Sequence, residues 1–306
     1  MGKSTYRTDN WKEYNQSLIN RGSLTFWIDE EAINGWLCSE HHGNRGRGYQ
    51  YSDTAIMTAL MVKRLFNLSL RAVQGFMNSV FSLMKVPLTC PNYSSISKRA
   101  KTVDIPIKMP ARGEIRHLAI DATGLKVFGE GEWKMKKHGK EQRRVWRKLH
   151  LAVDADTHQI ICAELSLSTV TDGEVMPTLL NQTYRKIKSI SGDGAYDTRL
   201  CYQAIQRKKA QPLIPPRTGA AYWEHGHPRN VAVANQRIHG SNEHWKKTSG
   251  YHSRSISETA MSRYKRLLGS ALSLRDYNAQ VGEALAAVRA LNKLTGLGMP
   301  VTRKVS

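Results

Sequence analysis

HLAID (117–121), WRKLHLAVD (146–154) and QIICAELSLS (159–168) are three strand-like runs of apolar and β-branched residues, and their reading decides the fold. Asp154–His158 joins the last two and has the Asp-containing chemistry of a hairpin turn. Downstream the texture alternates. Asp172 can cap a helix through Tyr184, SISGD (189–193) is a short strand, a helix runs from about Thr198 to Lys209, and QPLIP (211–215) is a fifth strand. Residues 216–250 have no clear period. Helices are expected from about His252 to Leu268 and from about Tyr277 to Leu294. Three strands followed by alternating helices and strands predict a mixed α/β sheet with helices on both sides.

The preceding residues read differently. Asp29 is an N-cap candidate, and HHGNRGRG (41–48) is a basic, glycine-rich loop that could enter a DNA groove or serve as a connector. Residues 52–102 form a helical module. Ser52 or Asp53 can cap a helix to about Phe66, with the break at Asn67. Ser69 can cap a second helix, whose Val73, Phe76, Met77, Val80, Phe81 and Met84 make a core-facing stripe. A third short helix, Ser94 to Lys101, carries Lys98, Arg99 and Lys101. Helices on tight turns, the last one basic, predict a helix-turn-helix-like DNA reader, against the alternative of a solvated charged face.

Charge narrows the partners. Among 306 residues, Lys+Arg number 46 against 25 Asp+Glu, a formal net charge of +21 with pI ≈ 10.0. That favours a polyanion, nucleic acid first, with an anionic membrane surface as the competitor. No apolar run is long enough for a transmembrane helix, and MGKSTYRTDNWKEYN lacks a signal core. Cys38, Cys90, Cys162 and Cys201 are scattered without a zinc-type cluster, which fits reduced thiols in a cytoplasmic protein.

Three acids stand out. Asp121, in AIDATGLKV, lies at the expected end of a strand on the face opposite Ile120, where burial is unfavourable without a partner; the alternative is a turn aspartate before Gly124. Asp193, in SGDGAYD, has glycine on both sides, so a ligand could approach a bare backbone or the chain could simply turn. Asp197 reads as the N-cap of the next helix, with a metal ligand as the alternative. Glu258 lies in a helix with Tyr251, Arg254 and Lys265. Offsets of 3, 7 and 14 positions at about 100° per residue put the four within an arc of about 60°. Glu258 could equally be a surface partner of Arg254. Three carboxylates from two strand ends and a helix would repel one another unless a divalent cation joined them, and all-oxygen ligands favour Mg²⁺ or Mn²⁺. The run WKMKKHGKEQRRVWRKLH (133–150) could track phosphates, with Lys136, Lys137, Arg143, Arg144 and Arg147 as candidate contacts, or remain a solvated loop.

Together these residues resemble a DDE transposase of a bacterial insertion sequence, and are most similar to the insertion-sequence-five family, in the branch that flanks a kanamycin-resistance transposon. IDATGLKV around Asp121, GDGAYD around Asp193 and YHSRSISETAMSRYKR carry the resemblance, the last fitting Tyr–x2–Arg–x3–Glu–x6–Lys. It covers essentially the whole chain. The spacings are 193 − 121 = 72 and 258 − 193 = 65, which leaves room for an insertion at about 216–250.

The resemblance implies a helical DNA-binding region (1–110), a ribonuclease-H-like catalytic domain (111–296) and a tail (297–306). It implies Asp121, Asp193 and Glu258 as catalytic ligands of two Mg²⁺ or Mn²⁺ ions, and Tyr251, Arg254 and Lys265 as contacts to DNA ends. The implied activity is binding of terminal inverted repeats, hydrolytic release of 3′-hydroxyl ends and their transfer into target DNA, without a covalent protein–DNA intermediate. The expected partners are double-stranded DNA and a second copy in the synaptic complex, near the nucleoid and away from membranes. A nuclease with the same core, a DNA-binding regulator and a basic membrane-surface protein are the rival readings.

Overall fold

The computed structural model describes residues 5–39, 48–107, 113–127 and 145–305. Residues 41–47 of the glycine-rich loop and Lys136, Lys137, Arg143 and Arg144 of the basic run lie outside the described residues. The chain divides into two compact units, Met1–Pro106 with Leu274–Ser306, and Ile107–Ser273.

The first unit begins with β1 (Thr5–Thr8), α1 (Trp11–Asn20), α2 (Leu24–Trp27) and α3 (Glu30–Asn34). Asp29 caps α3 by accepting the Ala32 N–H. Then come α4 (Asp53–Leu65), α5 (Leu70–Leu83) and α6 (Tyr93–Arg99). Ser52 and Ser69 cap α4 and α5 as the sequence predicts, and Asn67 breaks between them with φ 50°. The stripe on α5 is narrower than expected: Val73, Met77, Val80 and Phe81 are buried.

The second unit contains β2 (Ile115–Val127), β3 (Trp146–Asp154), β4 (Ile160–Leu167), α7 (Asp172–Asn181), β5 (Ile187–Ser191), a 3₁₀ turn (Gly194–Tyr196), α8 (Arg199–Arg207) and β6 (Gln211–Leu213). It continues through α9 (Arg229–His239), α10 (Glu243–Thr248), a second 3₁₀ turn (Tyr251–Arg254), α11 (Ser255–Leu268) and β7 (Ala271–Leu272). The strand order is β4-β3-β2-β5-β6, with β7 also on β2. β2, β3 and β4 are antiparallel, whereas β5 and β7 run parallel to β2 and β6 parallel to β5. This is the expected mixed sheet. One face packs Leu118, Ile120, Ala152 and Cys162 against Val175, Met176, Leu179 and Leu180 of α7 and Cys201, Tyr202, Ala204 and Ile205 of α8. α11 lies against β2 and β3 and buries Ala260, Met261 and Tyr264. Two helices therefore occupy residues 216–250, where the sequence shows no clear period.

The remaining elements, α12 (Tyr277–Gly296) and β8 (Thr302–Val305), belong to the first unit. The sequence division runs the second region on to 296. Instead, α12 packs along α4, its Ala284, Ala286, Ala287 and Ala290 all buried. Gly282 fits beneath the Ala100 carbonyl, which any added Cβ would strike. The buried Glu283 accepts from Lys63 at 2.7 Å and from the Leu274 N–H at 3.0 Å, with Arg64 at 3.4 Å. The expected tail contains β8, antiparallel to β1 with Thr5 opposite Val305.

Candidate active site

Asp121 stands mid-strand. β2 does not stop there, because residues 122–126 continue to pair with β3 and Lys126 also pairs with β7. Gly124 is therefore a strand residue, and the turn-aspartate reading falls. Strand alternation turns Asp121 away from the Leu118 and Ile120 face that carries α7 and α8. Its Oδ1 accepts from the Ala122 N–H at 2.8 Å. Asp193 follows β5 after Gly192 and caps the first 3₁₀ turn, accepting from the Ala195 N–H at 2.9 Å.

Gly192 has a purely internal reason. A Cβ there would lie 2.8 Å from the Tyr196 ring, whereas one on Gly194 would meet the Pro215 carbonyl at an ordinary 3.7 Å. The glycine makes room for a buried tyrosine rather than for a ligand. Asp197 is not the helix cap either. Thr198 takes that place, accepting from the Cys201 N–H, while Asp197 turns inward to Arg229.

Arg254 gathers the acids. Its guanidinium donates to Asp121 Oδ2 at 2.8 Å and to Glu258 Oε1 at 2.6 Å, and Asp193 Oδ2 stands 4.0 Å away. The three carboxyls, far apart in sequence, share one cation. Burial pushes the Asp121 carboxyl above its ordinary range; Arg254 opposes the rise, and Asp193 and Glu258 add to it. The Asp193 and Glu258 side chains are 42% and 60% exposed, so the cluster opens to solvent.

An all-oxygen donor set with excess negative charge suits a hard divalent ion. In the observed arrangement Arg254 supplies the central positive charge. Among the described residues no three His, Cys, Asp or Glu side chains are gathered closely enough to hold an ion.

The expected four-residue stripe is divided. Only Glu258 and Lys265 lie on α11; Tyr251 and Arg254 belong to the 3₁₀ turn before it. Tyr251 packs with Leu213, Ala232 and Trp245 in a small core, where burial pushes its hydroxyl up to about 12. Lys265 is exposed on α11.

The other basic candidates also separate. Arg99 is buried, bonded to the Tyr51 carbonyl and paired with Asp53, so it fastens α6 within its own unit. Lys101 pairs with Asp276 at 2.9 Å, and Lys98 is exposed. Arg147 stands on the Asp121 face of β3, opposite Leu125, whereas Lys148 turns to Asp172 and the Val170 carbonyl.

Two families, each described as Transposase DDE domain, match this chain over residues 19–130 and 112–293. The second match spans more than half of the chain and contains all three acids. The chain belongs to the DDE transposases. It is therefore a metal-dependent enzyme of DNA cleavage and strand transfer. A solved structure described as a cryo-EM structure of piggyBac transposase synaptic complex with hairpin DNA aligns over 90% of this transposase and 73% of its own chain, at 9% identity and a TM-score of 0.37. Among the described residues no helix of the transposase is long and apolar enough to cross a membrane.

Sequence reasoning names Asp121, Asp193, Glu258 and Arg254, and the fold brings all four together. It misses the inward turn of Asp197 onto Arg229 and the bonds from the Arg217 guanidinium to the Gly194 and Ala195 carbonyls. Their partners depend on how residues 216–230 fold back, which no local period encodes.

Proposed function

We propose that this enzyme is an insertion-sequence transposase, akin to the insertion-sequence-five family, that binds terminal inverted repeats, frees 3′-hydroxyl ends and joins them to target DNA. The observation that carries the reading is the convergence of Asp121, Asp193 and Glu258 on the Arg254 guanidinium, on the sheet face against which α11 packs. Asp121, Asp193 and Glu258 are the residues that would hold Mg²⁺ or Mn²⁺, two ions per site. Such ions supply activation of the attacking hydroxyl and stabilisation of the leaving oxygen.

The chain's own cations do the rest. Arg254 balances the carboxylates and lies where it can neutralise a scissile phosphate. Exposed Lys265, along α11 from Glu258, extends the positive track, and Arg147 adds to it on β3. Buried Tyr251 acts by packing, setting the turn that delivers Arg254. In the first unit, exposed Lys98 on α6 is the candidate DNA contact of a helical end-binding region. The antiparallel-then-parallel sheet supports a ribonuclease-H-like assignment, and a homodimer brings two ends together.

The test uses a duplex ending in the terminal repeat that flanks the coding sequence, with Mg²⁺ and a plasmid target. The expected result is nicking and joining by the natural protein. Asp121→Asn, Asp193→Asn and Glu258→Gln should each abolish both reactions while retaining end binding. Mg²⁺-dependent cleavage surviving in any one of them removes that residue from the role. Nicking without joining of a pre-cleaved end makes the protein a nuclease.

A further inference from the structure

Residues 217–229 grip the loop that carries Asp193. Asp197 and Arg229 form a buried pair, their side chains 1% and 5% exposed, with Nε to Oδ1 at 2.5 Å and Nη2 to Oδ2 at 2.8 Å. Burying two charges is unfavourable unless geometry and further bonds satisfy them. Both conditions are met. Asp197 Oδ2 also accepts the Arg217 N–H at 3.1 Å, Arg229 Nη1 donates to the Ala221 carbonyl at 2.7 Å, and the guanidinium lies 4.2 Å from the Trp223 ring centre. Asp197 thus holds the segment directly at Arg217 and Arg229, and Arg229 carries the hold on to Ala221 and Trp223.

The segment reaches back. Arg217 Nε donates to the Gly194 carbonyl at 3.0 Å, and its Nη2 to the Ala195 carbonyl at 3.3 Å. These are the two residues directly after Asp193, and the Ala195 N–H is the one that fixes the Asp193 carboxylate. A short turn containing glycine is by itself free to sample several conformations. Arg217 removes that freedom, and the Asp197–Arg229 pair holds Arg217 in place.

We propose that Asp197, Arg217 and Arg229 are positioning residues, a clasp by which the 216–250 segment sets the Asp193 carboxylate for the cleavage reaction. The inference rests on the functional reading of Asp193 given above. A purely structural pair would hold the segment to the fold and leave Asp193 indifferent to the Arg217 guanidinium.

Arg217→Met separates the two cases. Arg217 is exposed, and the substitution keeps its backbone bond to Asp197 while deleting only the grip on the two carbonyls. Amide hydrogen exchange at residues 194–197 should accelerate by about tenfold, since local opening is released. The Mn²⁺ concentration for half-maximal single-turnover cleavage should rise about fivefold or more, affinity for the DNA end should stay within about twofold, and excess Mn²⁺ should recover the rate. Arg217→Lys should restore part of the effect. Asp197→Asn should shift both readouts in the same direction and further.

Unchanged exchange, or unchanged Mn²⁺ dependence in an Arg217→Met protein that melts normally, overturns the clasp. The exchange readout needs no catalysis. If Asp193→Asn still cleaves, the functional reading of Asp193 fails whatever Arg217→Met does. If Asp193→Asn is dead and Arg217→Met is silent, only the clasp fails.

Discussion

Gly192→Ala tests how tightly the Asp193 loop is built. The new Cβ would lie 2.8 Å from Tyr196 Cδ2, 3.0 Å from Cγ and 3.3 Å from Cβ. Carbon atoms at ease stand about 3.5–4.0 Å apart, so the overlap with the nearest atom is about 0.7 Å or more. Tyr196 cannot swing away, being 1% exposed within the core under the sheet. The backbone must yield instead, at a cost of about 1–3 kcal/mol for overpacking of this kind. Since Asp193 is the next residue, the yielding displaces its carboxylate.

The expected outcome is thus a modest loss of stability in urea denaturation and a larger loss of cleavage, about tenfold or more for a displacement near 1 Å. A double-mutant cycle makes the cause specific. Tyr196→Ala, which keeps neither Cγ nor Cδ2, alone opens a cavity and destabilises by about 3–5 kcal/mol. It also removes the ring that the new Cβ strikes, so the double variant should be more stable than the sum of the singles by about 1 kcal/mol or more. Additive effects, or a Gly192→Ala protein with natural stability and rate, would refute the steric account.

Other expectations follow from the same geometry. Asp121→Asn should raise the melting temperature at neutral pH while abolishing cleavage. A carboxyl whose folded value is raised weakens the fold in its charged form at higher pH, and the amide removes that penalty; a lower melting temperature would contradict the burial argument. His150 is buried, with Nε2 on the Ser166 hydroxyl, and burial lowers it from 6.5 to about 4. The folded state therefore refuses a proton that the unfolded chain accepts. The associated stability, at most about 3 kcal/mol, is present above pH 6.5 and lost between about 6.5 and 4. His150→Gln should flatten that part of a stability-against-pH curve. Glu283→Gln leaves Lys63 and Arg64 buried without their carboxylate and should cost about 3–5 kcal/mol by thermal or urea unfolding. Lys98→Ala should weaken binding to DNA ends and reduce its salt dependence by about one phosphate contact, whereas Arg99→Ala should act mainly on stability, read by gel-shift titration beside a melting curve.

The sheet was legible because its signals are local. Strand runs of β-branched residues mark β3 and β4 within a residue or so, and Ser52, Ser69 and Asp29 cap the helices they precede. The three acids could be named because each lies in a short, distinctive motif. What escaped depends on contacts distant in sequence. β2 runs past Asp121 only because β3 and β7 both pair with it. Tyr251 has the spacing of a stripe residue, yet Trp245 and Leu213 draw it into a core. Arg99 has the composition of a DNA contact and is claimed by Asp53. Burial of a charge is decided by its partner, and periodicity does not name partners.

The division of the chain fixes an order of assembly. Residues 107–273 are contiguous, so the sheet with its acids has all its parts as soon as that stretch leaves the ribosome. The helical unit does not. Its α4 carries Lys63 and Arg64, whose carboxylate arrives more than two hundred residues later, and β1 waits for β8. During synthesis the sheet unit can close while the earlier helices still hold two uncompensated charges. A nascent chain stopped before α12 would therefore carry a finished acidic centre on a protein whose opening segment cannot settle, a clear target for proteolysis.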